Sequence, residues 1–209
     1  MRWNLLIQFF CITCLLNCLP VNISVPLSAA DAVIERYIEL LQKDPKHGAV
    51  FDRVYHYFAD TGEADIFLNQ CRSRTEKEPD NTAAQMLYGL AAQRQSDWKT
   101  AAAAFRKAAQ LDSGNYLPAY YLGEVLVSDK QFQDGIALLE EAVNRLKKTS
   151  ATGKQLRDVL QMLAKTLLRI GEQKRAEAVW QQLEALFPDD NEVVLQIAET
   201  FEAGGQFGE

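Results

Sequence analysis

The chain has 209 residues, 48% hydrophobic and 24% charged, ordinary values for a chain that buries a core. They exclude a disordered tail, a collagenous chain and a multi-span membrane protein. A formal net charge of -6 and a sequence pI near 5.1 argue against a basic nucleic-acid protein.

The N-terminus has the layout of an export signal. Arg2 is the only charged residue before Asp31. An apolar stretch runs from Leu5 to Leu19, interrupted by Gln8, Thr13 and Asn17, and Pro20 and Pro26 follow. Its fifteen residues are short for a span, since a bilayer core needs ~20 apolar residues. Ser28 and Ala30 stand at the -3 and -1 places of a cut before Asp31. Residues 1–30 therefore read as a secretory signal peptide, and the chain as periplasmic, envelope-associated or secreted. The rival reading is an uncleaved anchor, the one route to membrane attachment.

Position also disposes of three of the four cysteines. Cys11, Cys14 and Cys18 lie in the apolar stretch, so Cys11-x-x-Cys14 is a false redox or zinc signal. The mature chain keeps Cys71 alone and can form no internal disulfide. Without Arg2 it carries 21 bases against 28 acids, or -7.

Beyond the signal a 34-residue period organises the chain. Tyr88-Gly89 recurs as Leu122-Gly123, and Ala101, Phe105 and Ala108 recur as Gly135, Leu139 and Ala142, each 34 residues later. Ala176, Trp180 and Leu183 repeat the same spacing before Pro188. These residues resemble the tetratricopeptide repeat. That pattern has small residues at positions 8, 20 and 27, large ones at 4, 7, 11 and 24, and Pro at 32. The resemblance covers residues 48–209 as repeats 48–81, 82–115, 116–156 and 157–190 and a partial unit 191–209. Tyr55, Phe67 and Arg74 depart from the pattern, so looser packing is expected in the first repeat. Val33, Tyr37, Leu40 and Pro45 match positions 20, 24, 27 and 32, which predicts a lone cap helix within 31–47. The third repeat holds seven extra residues, expected to lengthen its second helix and then loop out. Gly62, Gly171 and Gly205 fall at position 15, the turn between helices, where a positive φ is often needed.

The resemblance implies an all-α, right-handed superhelical solenoid of antiparallel helix pairs. No unit buries its apolar face alone, so stability comes from stacking. It also implies a non-catalytic scaffold that binds a protein or peptide. The last unit lacks its second helix, and its first is apolar on several sides (Val193, Val194, Leu195, Ile197, Phe201). Two further expectations follow: that the chain is the N-terminal repeat region of a larger protein or enzyme, or that it associates with itself.

No nucleophile constellation, His-Glu-x-x-His or Gly-rich phosphate loop occurs, so no catalytic residue, cofactor or metal is expected. His47 reads as a solvated loop residue. Asp52, His56 and Asp60, spaced i, i+4, i+8, share a helix face; a wet acidic stripe is preferred there over a divalent-cation site. In the resembling family, positions 5, 9 and 13 line the concave groove. Here they give Asp52, His56 and Asp60, then Met86, Leu90 and Arg94, then Tyr120, Glu124 and Ser128, then Gln161, Lys165 and Arg169. That set sketches a groove running from acidic through apolar and aromatic to basic, suited to an extended peptide or a helix. The Lys and Asn clamp by which some family members hold a C-terminal carboxylate is missing from the first-repeat places. Arg145, Lys147, Lys148, Lys154 and Arg157 form a basic cluster. It is diluted by acids and has no aromatic platform, so it reads as a solvated helix end and not as a nucleic-acid site.

Overall fold

The computed structural model of the chain describes residues 29–149 and 153–188, with 191, 193–195 and 198. The predicted signal segment up to residue 28, and most of the partial unit 191–209 with its Gly205 turn, lie outside the described residues. The chain divides into units 1–33 and 34–209. Nine helices are described: α1 (Ala29–Lys43), α2 (Ala49–Asp60), α3 (Ala64–Lys77), α4 (Thr82–Arg94), α5 (Trp98–Leu111), α6 (Tyr116–Ser128), α7 (Phe132–Lys147), α8 (Gly153–Arg169) and α9 (Gln173–Leu186). Among the described residues there is no strand, and no helix is long and apolar enough to cross a membrane.

From α2 onward the helices stack as a solenoid of pairs, α2–α3, α4–α5, α6–α7 and α8–α9. The turn inside each pair is built the same way. Glu63 N–H donates to Phe58 O, Asp97 N–H to Ala92 O, Gln131 N–H to Leu126 O and Glu172 N–H to Leu167 O. The residue before each of these donates to a carbonyl three positions back. This is the Schellman closure, which needs a left-handed residue. Gly62 (φ 75°) and Gly171 (φ 79°) supply it in two turns, and Ser96 (φ 58°) and Lys130 (φ 65°) in the other two. The chain reverses tightly each time, which sets the two helices of a pair antiparallel.

Within the pairs small residues face large ones. A Cβ on Gly89 would lie 2.6 Å from the Phe105 ring, and one on Gly135 would lie 2.7 Å from Val127 and 3.1 Å from the Gly123 carbonyl. Phe105, Leu139 and Trp180, all at position 24, are at most 1% exposed. In the first pair Tyr55 and Phe67 replace the small residues, and α2 and α3 pack less closely than the later pairs. Aromatic stacking fills the space instead: Phe58 and Phe67 rings lie 5.2 Å apart. Cys71 is buried there, and burial pushes its thiol pKa up to about 12, so it is a small core side chain and not a reactive thiol.

Two register expectations are corrected. In α1 the buried residues are Ile34 and Leu41, with Tyr37 and Ile38 partly covered, while Val33 and Leu40 are each 49% exposed. The packing face lies one residue further along than the repeat pattern placed it. The extra residues of the third repeat are also shared differently. α7 runs 16 residues against 14 for α5 and α9, and α8 begins at Gly153, four residues before the expected 157. Most of the insertion is an added turn at the front of α8.

Two substitutions test this packing by urea denaturation. Gly89→Ala should destabilise by about 1–2 kcal/mol, the overpacking cost reduced by the better helix propensity of Ala. Lys130→Gly should stabilise by about 0.5–1 kcal/mol, because relief of a left-handed Lys outweighs the added freedom of the unfolded chain.

Candidate functional site

The added turn of α8, the front half of α6 and the α1–α2 loop enclose a cleft of about 600 Å³. Each wall is fixed locally. Asn115 caps α6, its Oδ1 accepting from Leu117 N–H at 3.0 Å, and its carbonyl accepts from Arg145 of α7 at 2.6 Å. The loop is pinned by His47, whose backbone N–H donates to the Tyr121 hydroxyl at 2.8 Å. The His47 ring has Nε2 3.1 Å from Gln93 Oε1 and packs edge-on to Tyr121 at 4.9 Å and Phe51 at 5.6 Å. The added turn of α8 contributes Lys154 and Gln155, and the next turn Asp158.

The chemical centre is Glu124. The Tyr120 hydroxyl donates to its Oε1 at 2.8 Å, while Oε2 is buried and has no hydrogen bond of ordinary geometry among the described residues. Burial raises its pKa to about 7, against the opposing pull of Tyr120 and Gln93. Burial likewise raises Tyr120 and Tyr121, so both remain neutral phenols in ordinary buffers. It lowers His47, the Gln93 contact acting in the other direction, and the imidazole is biased to its neutral form.

The residues expected to line one groove are not brought together as a set. Tyr120 and Glu124 stand in the cleft. Met86 and Leu90 do not line any surface: they are 2% and 0% exposed, held in the core where α4 packs on its neighbours. Asp52 and Arg94 neutralise each other at 2.8 Å, and the Arg94 guanidinium also sits 5.5 Å from the Tyr55 ring centroid. His56 is exposed beside Tyr55. Gln161 is partly buried, Lys165 exposed, and the Arg169 guanidinium lies over the Phe132 ring at 4.9 Å. The expected charge gradient is therefore interrupted, because its acidic end is paired and its basic end is partly committed to an aromatic face. No group of three or more His, Cys, Asp or Glu placed to hold a metal occurs among the described residues.

His47 corrects a second expectation: it is partly buried and bonded, not solvated. Asp44, His47, Gln93, Lys154 and Asp158 were not expected at the site. The loop residues follow no helical period, and Lys154 precedes the expected helix start. Gln93 and Asp158 also lie in helices, at positions 12 and 2 of their repeats and not at 5, 9 or 13.

A tetratricopeptide repeat family model matches residues 72–116, from the end of α3 to the start of α6. The fold is a tetratricopeptide-type solenoid. Solved structures agree. MamA (41-end) from Desulfovibrio magneticus RS-1 aligns with a TM-score of 0.58 at 14% identity, over 78% of this chain and 89% of that one. TTC0263, a thermophilic TPR protein of Thermus thermophilus, aligns at 0.58 and 15% identity, over 82% and 90%. The N-terminal domain of stress-induced protein-1 from C. elegans aligns at 0.53 and 23% identity, over 58% and 94%. No curated protein matches the chain in sequence.

Glu124 makes a pH-dependent contribution to stability. Its folded pKa of about 7 lies above the reference value of 4.5, so the folded chain binds the proton more tightly. The contribution is fully present below pH 4.5 and is lost as pH rises through about 7. Glu124→Gln, which keeps the shape without the charge, should match the wild type near pH 4.5 and exceed it at pH 8. The gain at pH 8 should be about 1–3 kcal/mol. Paired melts at the two pH values read the difference directly, and effects common to both proteins cancel.

Proposed function

We propose that the chain is a non-catalytic protein-interaction scaffold, exported through its N-terminal segment, that holds an extended peptide or a helical segment along the inner face of the solenoid. The observation that carries this reading is the cleft, in which a loop and two helices from separate units converge polar and aromatic side chains on one open depression. A stack of helix pairs offers a long surface made of many short contributions, the geometry that suits an extended partner. Tyr116, Tyr120 and Tyr121 give that surface rigid amphipathic area at low entropy cost. Exposed Lys165 and Arg169 on α8 would continue it beyond the cleft.

Export rests on the first thirty residues alone: one basic residue, a fifteen-residue apolar run and small residues before Asp31. Expressed with this segment in a bacterial host, the chain should be recovered outside the cytoplasm with Asp31 as its first residue by intact mass. Recovery in the cytoplasm at full length would overturn this half of the proposal.

Selection of random displayed peptides on the chain tests the other half. Selected peptides should bind the wild type and lose about tenfold or more in affinity to Tyr120→Ala, the loss typical of an aromatic anchor. They should lose less to Lys165→Ala, a rim charge. A failure to select any peptide, or equal binding to Tyr120→Ala, would remove the groove reading.

A further inference from the structure

We propose that the cleft receives a cationic side chain, an ammonium or guanidinium group carried by the partner segment, seated against Glu124. The inference rests on the scaffold reading for its physiological partner, though the site itself can be tested alone.

The geometry points to a cation because one oxygen of the Glu124 carboxylate has no hydrogen bond of ordinary geometry among the described residues, the Gln93 amide acting on the carboxyl only weakly. Oε1 accepts from Tyr120, and Oε2 is buried without a donor of ordinary geometry. A buried acceptor left in this state costs the fold, and a charged one costs more. The chain's own nearby cations are committed elsewhere. Arg94 is paired with Asp52, Lys46 with Asp44, and Arg145 with Glu141 and the Asn115 carbonyl. Lys154 stands exposed at the rim.

Among the described residues Asp44 is paired with Lys46 and Asp158 with Arg157, which leaves Glu124 as the carboxylate of the cleft lining outside an ion pair, and burial biases His47 to its neutral form. Three tyrosines line the same space, Tyr120 and Tyr121 with ring centroids 5.3 Å apart. Aromatic faces attract a cation, and more so where water is excluded. The Tyr120 hydroxyl proton is directed at Glu124, which leaves its oxygen lone pairs open to a donor. An anionic ligand would be repelled by the Glu124 carboxylate, and an apolar one would leave its charge uncompensated.

Three capped amino acids serve as probes: N-acetyl-lysine methylamide, N-acetyl-arginine methylamide, and the uncharged N-acetyl-norleucine methylamide. Titrated at millimolar concentration into the isotope-labelled chain, at least one cationic probe should cause saturable amide shifts at His47, Tyr120, Tyr121 and Glu124, and norleucine should not. Glu124→Gln should weaken the effect by about tenfold or more, the loss of a charge-assisted hydrogen bond. Asp158→Asn, at the rim, should weaken it only a few-fold. The wild-type fold of both variants is checked by the unchanged remainder of the spectrum. No shift in the cleft, equal shifts with norleucine, or undiminished binding by Glu124→Gln would each overturn the proposal.

The two readings fail separately. Displayed peptides that need Tyr120 yet carry no cation and ignore Glu124→Gln would leave the scaffold standing and remove the cation site. Saturable lysine or arginine binding with no selectable peptide would do the reverse.

Discussion

The close approach of paired helices is the constraint on which the rest depends. α4 and α5 touch through Gly89 and Phe105, α6 and α7 through Gly123, Gly135 and Leu139. At those points a single methyl group would overlap a neighbour whose own side chain is fully buried. The interior is packed to near-crystalline density, so such an overlap cannot be absorbed cheaply. The four Schellman turns serve the same end. Each reverses the chain within a few residues and closes the orphan carbonyls of the preceding helix. Tight contact and tight reversal together fix the pair, and the repeated pair fixes the stack.

The first pair shows what happens when the constraint is relaxed. Tyr55 and Phe67 stand where later pairs have Gly or Ala, and the helices draw apart. The gap is filled by rings, Phe51, Phe58 and Phe67 among them. This looser end is also where α1 packs, through Ile34 and Leu41.

The period made the helix pairs legible from residues alone, because a spacing of small and large side chains repeats wherever the same contact repeats. Gly89, Phe105, Ala108, Leu139 and Trp180 all occupy the places that their spacing predicts. The turns were half legible: Gly62 and Gly171 announce a positive φ, whereas Ser96 and Lys130 adopt it because the closure demands it, with nothing in their chemistry to signal it. The cap helix was legible as a helix but not in register, since Val33 and Leu40 mimic the pattern one residue away from the true face. The site was the least legible part. Positions 5, 9 and 13 include Tyr120 and Glu124, which line the cleft, but Met86 and Leu90 occupy equivalent places and are buried. A repeat position fixes direction only when neighbouring units are alike, and the units flanking α4 are not. His47 lies in a loop, Lys154 in an insertion, and neither obeys a period.

Glu124 sets stability against the proposed recognition. A glutamine could accept from the Tyr120 hydroxyl equally well and would carry no charge into a buried place. The carboxylate instead has its pKa raised to about 7 by burial, so in neutral solution the fold bears part of the ionisation penalty. The Tyr120 hydroxyl and the Gln93 side chain offset only part of it. Packing gives no reason for the charge, since the helix pair α6–α7 is secured by Gly123, Gly135 and Leu139 on another side of α6. A group that weakens the free protein and opens on a cleft is best understood through what enters the cleft. A cation brought by a partner would remove the penalty on arrival, so the strain held in the free solenoid becomes part of the affinity for the occupied one.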